Sequence, residues 1–362
     1  MKIKFVDLSV DKKEYQKNYE PLIEKCIING NFVGGVEVES FENEFSEFCG
    51  SKYAVSLNSG TDALYLSLLA MGIQKGDEVI TVANSFMATV NAIKLIGAKP
   101  VLVDISNNML IDVKKIERLI TNKTKAIIPV HLSGLVCQMD QIIKLSKKYN
   151  LKIIEDAAQS IGSKYKNKKA GTFGHTGCFS LHPLKNLAGI GDGGMIVTDD
   201  KKIYNKLLLL RNHGMINRDV QKIIGYNSRL DTINASILRY KLTKLNDIIK
   251  KRRKNAKLYL SELKNVKGII LPTETENDFH TYHTFIIQTP KRNKLMRYLL
   301  QHGVETKIHY PIPTHRQEPY SATNNNLKIT EKSCDNILSL PIGHISKKEI
   351  VYISKIIKKF KQ

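Results

Sequence analysis

Lys185 stands in a sequence context that would suit covalent cofactor chemistry. It lies in a short turn between two apolar segments with strand character, residues 177–181 and 194–198. Upstream, residues 153–156 read Ile-Ile-Glu-Asp, a buried-strand pattern that ends in the carboxylate of Asp156. Together these features indicate a pyridoxal phosphate (PLP) site, in which the lysine holds the cofactor aldehyde as a Schiff base. The carboxylate would keep the pyridine nitrogen protonated, so that the ring can withdraw electrons from the reacting bonds.

Neither residue is specific by itself. Lys and Arg together number 56 in this chain, and most of them must be solvated surface groups. An aspartate directly after a strand is commonly the N-cap of a helix. The PLP interpretation therefore depends on further segments that could bind the rest of the cofactor.

A phosphate site is indicated by Ser59-Gly60-Thr61. These small residues follow a short apolar strand, residues 54–57, and precede a helical pattern at residues 63–71. Small side chains let an anion approach the backbone, and the free N–H groups and dipole at a helix start favour its binding. An ordinary strand–turn–helix connection, capped by Ser59 or Thr61, explains the same residues equally well.

Two further segments carry groups that could contact a cofactor or substrate. Phe86 follows an apolar strand, and its ring could stack on a planar cofactor or simply pack in the core. Asn227 and Arg229 precede a long helical stretch, residues 232 to about 263, and their polar groups could reach a phosphate or a substrate. The alternative for that loop is an ordinary connection in which Asp231 caps the helix.

Taken in order, these motifs resemble the sugar-nucleotide aminotransferases of the DegT/DnrJ/StrS kind, which are fold-type-I PLP enzymes. The resemblance runs from about residue 6 to the end of the chain, and the ordered set is far more specific than any single motif. Its landmarks are Gly34-Gly35 with Phe41-Glu42, residues 59–64, residues 76–80, residues 97–101, residues 155–159, Lys185-Asn186-Leu187, residues 225–231 and residues 308–313.

The resemblance implies a role for each matching residue. Lys185 would hold the cofactor and then carry the proton between the substrate carbon and the cofactor carbon. The other cofactor-binding residues would be Gly60, Thr61 and Ser180 at the phosphate, Phe86 on the ring face, Asp156 at the pyridine nitrogen, Gln159 at the ring hydroxyl, and Asn227 at the phosphate of a neighbouring subunit. The substrate would be faced by His182, Arg229, His309 and Tyr310. The reach of Asn227 implies a homodimer with shared active sites, and no metal is expected.

The activity implied is the transfer of an amino group from an amino acid, with glutamate as the expected donor, to a keto group on a nucleotide-linked sugar. The cofactor would pass through its pyridoxamine phosphate form between the two half-reactions. Related sugar 3-dehydratases carry histidine in place of the lysine, so Lys185 favours transamination over dehydration. The expected product is an amino sugar nucleotide for surface glycans such as lipopolysaccharide O-antigen.

The sugar carbon that is aminated is indicated by residues 191–194, Gly-Asp-Gly-Gly, together with Asn186-Leu187. This pattern resembles the members that act at the 3-position, so the expected substrate is a dTDP-linked 3-keto-6-deoxyhexose. His182 departs from it, because histidine is commoner there among members that act at the 4-position. A 4-aminotransferase acting on a UDP- or GDP-linked 4-keto sugar is therefore the alternative.

Residues 189–194 also match the dinucleotide-binding pattern G-x-G-x-x-G. Such a site needs a strand before the glycines and a helix after them. Here a loop precedes the glycines and the strand-like residues 195–198 follow them. We therefore expect no NAD site.

The net charge of +22 raises the alternative of a basic DNA-binding regulator. The lysines, however, are spaced along helical stretches with apolar residues between them, as on solvated amphipathic faces. No recognition-helix or RNA-binding motif is present in the sequence, so we expect no nucleic-acid partner. No stretch is long and apolar enough for a membrane span. The five scattered cysteines lack metal or disulfide spacing, and the first residues lack a signal-peptide core, which suits the cytoplasm.

The positions of the candidate residues require an α/β scaffold. Strand patterns alternate with helical ones, which predicts a mostly parallel mixed sheet between helices, with ligands at the strand ends. The predicted strands are residues 54–57, 78–82, 100–104, 126–131, 152–156, 178–181 and 195–198, and the predicted helices include residues 63–71, 89–96, 113–120 and 139–149. We expect a large PLP-binding domain at residues 1–245. A small α+β domain would follow at residues 246–362, with strands at 268–271, 284–288 and 304–309 and helices at 293–301 and 347–360.

Overall fold

The computed structural model describes residues 2–320 and 326–360. Its helices are α1 (Lys12–Asn18), α2 (Glu20–Ile28), α3 (Val36–Cys49), α4 (Gly60–Ala70), α5 (Ala88–Leu95), α6 (Met139–Tyr149), α7 (Lys201–Arg211), α8 (Thr232–Leu263), α9 (Arg292–Gln301), α10 (Lys328–Asn336) and α11 (Lys347–Lys359). Its strands are β1 (Tyr53–Leu57), β2 (Glu78–Val82), β3 (Lys99–Val103), β4 (Thr124–Ile127), β5 (Lys152–Asp156), β6 (Lys164–Tyr165), β7 (Lys168–Lys169), β8 (Thr176–Ser180), β9 (Gly194–Thr198), β10 (Asp278–Phe279), β11 (Phe285–Gln288) and β12 (Ile337–Leu340).

Within the described residues, seven strands form one sheet in the order β1-β9-β8-β5-β4-β2-β3. Strands β8, β5, β4, β2 and β3 run parallel to one another, whereas β9 runs antiparallel to its two neighbours, β1 and β8. The expected mostly parallel mixed sheet between helices is therefore confirmed. Because β1 and β8 both oppose β9, they run in the same direction, and the carboxyl ends of β1, β2, β5 and β8 lie along one edge.

Both faces of the sheet are covered, which explains the apolar strands. All five residues of β2 are buried, and its sequence is rich in β-branched side chains that suit a strand packed on both faces. On one face, Phe45 of α3 packs edge-to-face against Phe41 and against Phe179 of β8, with ring centroids 5.8 and 5.2 Å apart. On the other face, Leu64 and Leu68 of α4 pack in the cluster that contains Ile196. The sheet is thus held rigid between two apolar layers.

The long helix α8 connects this sheet to a second core. Its residues Leu245 and Ile249 pack in the large cluster against the sheet, whereas Tyr259 and Leu263 pack with β11, β12, α9 and α11. Ile3, from the start of the chain, also packs in this second core. Residue 245 lies inside a continuous helix, and a division of domains at that residue stays a prediction.

Three expected elements take another conformation in the structure, and the strand expected at 126–131 already ends at Ile127. Residues 113–120 form two 3₁₀ turns, Val113–Lys115 and Glu117–Leu119, instead of one α-helix. A segment this short gains little from helix propagation, so the packing of buried Val113 and Ile116 decides its shape.

The other two are the strands expected at 268–271 and 304–309. They make only isolated bridges, between Ile270 and Gln288, between Val304 and Ile3, and between Lys307 and Ser339. Ile270, the partner of Gln288, is followed by Leu271 and Pro272. Because a proline has no N–H to donate, the pairing cannot continue into a longer strand there.

Among the described residues, no helix combines the length and the apolar character that crossing a bilayer requires.

Candidate active site

The strand ends bring the candidate residues to one edge of the sheet. Strand β5 ends at Asp156, β8 ends at Ser180 and leads into the turn that carries Lys185, and β1 leads into Ser59 and Gly60. Ligands of open α/β sheets bind at this edge, because the loops that follow the strands converge there. Asp156, Ser180 and Gly60 therefore lie at one edge with the turn of Lys185, although they are far apart in the sequence.

Lys185 is held in a turn, and the residue is partly buried. Its backbone N–H donates to the carbonyl oxygen of His182 at 2.8 Å. Burial lowers the pKa of its amine from 10.5 to about 8, since desolvation disfavours the charged form, and the opposite charge of Asp156 limits that shift. An amine of this kind is partly neutral at physiological pH, which suits both a nucleophile and a proton carrier.

Asp156 is a buried and anchored carboxylate. Its side chain is 5% exposed. The hydroxyl of Thr89 donates to its Oδ2 at 2.7 Å, and the N–H of Ala158 donates to its Oδ1 at 3.2 Å. Its own N–H donates to the carbonyl of Pro129 at 2.9 Å. These contacts fix the carboxylate at the strand end with lone pairs left for a further donor.

The neighbouring carboxylate, Glu155, serves the scaffold instead. Successive side chains of a strand point to opposite faces, and Glu155 is fully buried on the side away from Asp156. It accepts the N–H groups of Gly171, Phe173 and Gly174 at 2.6–2.8 Å, and it lies 2.9 Å from His131 Nε2. Glu155 thus ties the loop after β7 to the centre of the sheet.

The start of α4 forms a tight cradle for an anion. The hydroxyl of Ser59 accepts the N–H of Asp62 at 3.1 Å, while the first N–H groups of a helix, here those of Gly60 and Thr61, have no partner within it. A Cβ on Gly60 would lie 2.8 Å from Cβ of Ser180, so the turn packs directly against β8. This cradle has the small side chains, backbone donors and helix dipole that bind a phosphate.

An aromatic side chain and an amide border the site. Phe86 is 50% exposed although it follows a fully buried strand, and its ring lies 5.8 Å from that of Tyr310. Gln159 Nε2 donates to the hydroxyl of Tyr310 at 3.1 Å, and Gln159 Oε1 accepts the N–H of Ser133 at 2.8 Å. The second N–H of that amide is available for the ring hydroxyl of a cofactor.

Next to these side chains, His309 and Tyr310 are both held uncharged. Burial, followed by the charges of Lys185 and Lys307, lowers the pKa of His309 to about 4. Burial likewise raises the pKa of Tyr310 above its usual value. His309 Nδ1 lies 2.9 Å from the hydroxyl of Ser339. Neutral side chains that donate and accept hydrogen bonds suit the recognition of sugar hydroxyl groups.

The remaining candidates lie at the margin of this cluster. His182 Nδ1 accepts the N–H of Leu184 at 3.2 Å, next to the turn of Lys185. Asn227 is exposed, and Arg229 donates to the side chain of Asn212 at 3.2 Å instead of contacting another candidate. A single chain therefore leaves Asn227 facing outward, where a second chain could approach it.

The assembled residues fit PLP. The first N–H groups of α4, which have no partner within the helix, suit its phosphate. The buried carboxylate of Asp156 suits its pyridinium, and the amine of Lys185 suits its aldehyde. The half-exposed ring of Phe86 offers an apolar face for the pyridine ring. In the described residues, no group of three or more His, Cys, Asp or Glu side chains could hold a metal ion.

Sequence reasoning gave no role to several residues that contact the candidates, among them Thr89 and Ser133. Thr89 binds Asp156, and the N–H of Ser133 binds Gln159. Thr89 had a usable signal, since it follows Phe86 by three residues at a helix start. Ser133 had none, because its position depends on a left-handed backbone conformation, φ 62°, in a turn that only the folded chain defines.

Comparisons with known proteins agree with this geometry. The sequence profile of the DegT/DnrJ/EryC1/StrS aminotransferase family matches residues 13–358. A dTDP-3-amino-3,6-dideoxy-alpha-D-galactopyranose transaminase from Aneurinibacillus thermoaerophilus is 40% identical over 96% of this chain and 96% of its own length.

Two solved structures are also similar. DesV from S. venezuelae has a TM-score of 0.96 and 34% identity, and the alignment covers 99% of this chain and 98% of DesV. NtdA from Bacillus subtilis, solved with its cofactor PMP bound, has a TM-score of 0.91 and 31% identity, with 99% of this chain and 86% of NtdA covered.

Proposed function

The chain belongs to the DegT/DnrJ/EryC1/StrS aminotransferase family and is a PLP-dependent enzyme, and we propose that it aminates the 3-keto group of a dTDP-linked 6-deoxyhexose. The amino group would come from an amino acid, with glutamate as the expected donor, which leaves as its 2-oxo acid. The observation that carries the proposal is the buried amine of Lys185, with a pKa near 8, at the same sheet edge as the anchored carboxylate of Asp156.

PLP, when bound, supplies an electron sink that makes the C–H bond beside the substrate nitrogen acidic. Lys185 would hold the aldehyde carbon through Nζ and, once released, would take and return a proton at the same Nζ. Asp156 would keep a proton on the pyridine nitrogen. Gly60, Thr61 and Ser180 would bind the phosphate, Phe86 would cover one face of the ring, and Gln159 would donate to the ring hydroxyl.

The choice of the 3-position is supported by the relative from Aneurinibacillus thermoaerophilus, whose name places its amine at that carbon. The structure adds a reason for Gly194, the last of the glycines at residues 191–194. A Cβ on Gly194 would lie 2.0 Å from the carbonyl oxygen of Ser59, so β9 packs against the phosphate cradle through a bare backbone. His309 and Tyr310 would face the sugar as neutral hydrogen-bonding groups, with His182 and Arg229 as further substrate contacts.

The test follows the absorbance of purified holoenzyme. Glutamate should bleach the visible band of bound PLP, and a dTDP-linked 3-keto-6-deoxyhexose should restore it. NMR of the product should place the new amine at C3. An amine at C4, or recovery with only UDP- or GDP-linked 4-keto sugars, would replace our substrate with the 4-keto alternative.

The matched variants are Lys185→Ala and Lys201→Ala. Lys201 is an exposed lysine at the start of α7, so its removal should leave turnover unchanged. Lys185→Ala should bind PLP without a covalent bond and should lose turnover. An active Lys185→Ala enzyme would refute the assignment of the lysine.

We also propose that the enzyme is a homodimer in which Asn227 completes the phosphate site of the neighbouring subunit. Phe32, Val33 and Ile190 are each about half exposed, at 51%, 54% and 52%, and they line one cavity of about 390 Å³ with Asp231. Exposed apolar side chains that cluster in this way commonly mark a protein interface. The exposure of Asn227 in the single chain supports the same arrangement.

A complementation experiment tests the shared site. Lys185→Ala and Asn227→Ala proteins should each be nearly inactive, yet unfolding and refolding them together should restore activity. Random pairing gives half heterodimers, each with one intact site of two, so about a quarter of wild-type activity is expected. A monomer in analytical ultracentrifugation, or a mixture as inactive as its parts, would contradict the shared site.

The cellular role we propose is supply of an amino sugar nucleotide for surface glycans such as lipopolysaccharide O-antigen, in the cytoplasm. All five cysteines are buried and unpaired, which suits a reducing compartment. Deletion of the gene should remove the amino sugar from the surface glycan. Persistence of the sugar in a deletion strain would argue against this role.

A further inference from the structure

Hydrogen bonds join three buried side chains in a row, from Ser85 through Thr89 to Asp156. The hydroxyl of Ser85 lies 2.8 Å from the hydroxyl of Thr89, which lies 2.7 Å from Asp156 Oδ2. Ser85 is 6% exposed and Thr89 is 1% exposed. Water therefore has little access to these hydroxyl groups, and each must find its hydrogen-bond partner within the protein.

The donor and the acceptor of each hydrogen bond follow from the single proton that each hydroxyl carries. An ionised carboxylate only accepts hydrogen bonds, so the single hydroxyl proton of Thr89 must lie toward Asp156. The carbonyl oxygen of Phe86 is a competing acceptor for that proton, but it is neutral and more distant, at 3.3 Å. The charged carboxylate at the shorter distance forms the stronger hydrogen bond and therefore takes the proton of Thr89. The hydroxyl of Ser85 then donates to Thr89, and polarises it further.

The placement of Thr89 couples two parts of the site. Phe86 lies between Ser85 and Thr89 in the turn that opens α5. The backbone N–H of Thr89 donates to the carbonyl oxygen of Phe86 at 3.2 Å, so one rigid turn presents both the aromatic ring and the hydroxyl. Thr89 is also at the positive end of the helix dipole, which favours a nearby anion.

We propose that Thr89, supported by Ser85, is a positioning residue that holds Asp156 as an oriented anion against the pyridine nitrogen of PLP. This inference rests on the proposed role of Asp156. Without the hydroxyl of Thr89, the buried carboxylate loses a donor, and the shared proton moves from the pyridine nitrogen toward Asp156. PLP then binds more weakly, and the ring becomes a poorer electron acceptor.

The first readout is PLP affinity, measured on the PLP-free full-length protein by equilibrium dialysis, because the chain has no tryptophan to quench. A buried hydrogen bond to a charged group corresponds to about a tenfold or greater effect, so Thr89→Val should weaken PLP binding by about that factor. Thr89→Ser keeps the donor and should stay within about threefold of wild type. Val matches Thr in shape, and circular dichroism checks that each variant folds.

The second readout is the ¹⁵N NMR shift of ¹⁵N-labelled PLP in the bound state, which reports protonation of the pyridine nitrogen. The shift should move toward that of unprotonated pyridine in Thr89→Val and should remain at the wild-type position in Thr89→Ser. A loss of packing alone would weaken PLP binding without this pattern of rescue.

Three further variants keep the test decisive. Ser85→Ala leaves Thr89 in place and should weaken PLP binding less than Thr89→Val, whereas the double variant should bind no more weakly than Thr89→Val alone, because the two residues act in series. If Asp156→Asn weakens PLP binding and shifts the ¹⁵N signal while Thr89→Val and Ser85→Ala match wild type, the inference is overturned. If Asp156→Asn also matches wild type, the proposed role of Asp156 fails instead.

Discussion

The buried amine of Lys185 makes a quantitative prediction about pH. Only the neutral amine can attack the aldehyde of PLP, and burial lowers its pKa from 10.5 to about 8. Protonation is disfavoured because the charged form would lose its hydration, so the amine becomes competent near pH 8 and not near pH 10. The rate at which PLP-free enzyme forms its covalent bond to PLP should follow the neutral fraction of Lys185.

The increase of the neutral fraction with pH distinguishes a buried lysine from a solvated one. With a pKa of about 8, the neutral fraction rises from about 9% at pH 7 to about 91% at pH 9, which is a tenfold gain that ends in a plateau. An ordinary solvated lysine, with a pKa of 10.5, would rise about a hundredfold over the same interval and would still be climbing at pH 9.

The assay mixes PLP-free enzyme with PLP at each pH and stops the reaction with borohydride, which fixes the lysine adduct. Mass spectrometry of the peptide that contains Lys185 then gives the rate at that residue. The same reaction with N-acetyl-lysine corrects for the titration of PLP itself. A corrected rate that keeps rising tenfold per pH unit beyond pH 9 would show that Lys185 is solvated, and the reasoning from burial would be wrong.

The packing of the fold allows further predictions. Gly194→Ala places a Cβ 2.0 Å from the carbonyl oxygen of Ser59, so PLP affinity should fall at least about tenfold, whereas Gly191→Ala, with no atom within 4 Å, should bind PLP normally in the same dialysis assay. Equal PLP affinities of the two variants would mean that the added Cβ at residue 194 does not disturb the phosphate site. Phe45→Ala removes a fully buried ring and should lower the free energy of unfolding in urea by about 3–5 kcal/mol, whereas truncating the exposed Leu300 to Ala should change it by less than about 0.5 kcal/mol. Similar losses for both variants would contradict the packing of that core.

Much of the seven-stranded sheet and of the helices around it could be predicted from the sequence because the signals there are local. The bounds of β2, β5, α6 and α8 follow from runs of apolar residues and from helical periodicity, which depend on neighbouring residues alone. The C-terminal part of the chain was harder to predict. Its residues 268–271 and 304–309 have strand-like composition, but a strand needs a partner along its length, and the folded chain supplies only single bridges.

The site shows the same division. The sequence determined which residue types stand after the strands, and a resemblance in their order was enough to nominate Lys185, Asp156 and Gln159 for a PLP enzyme. The roles of these residues stay predictions, to be tested by the variants above. The sequence could not show which face of β5 each carboxylate would take in the fold, and only the alternation of β5 within the sheet turns Asp156 toward Lys185 and Glu155 away from it.

Tertiary structure alone decided the contacts that tune the site. Thr89 meets Asp156 across 67 positions of sequence, and His309 meets Ser339 across 30. The lowered pKa of Lys185 is likewise a property of the fold, because desolvation depends on every atom that displaces water from the amine. A sequence specifies the groups that can react, whereas their charge and orientation depend on neighbours that only the folded chain brings within a few ångströms.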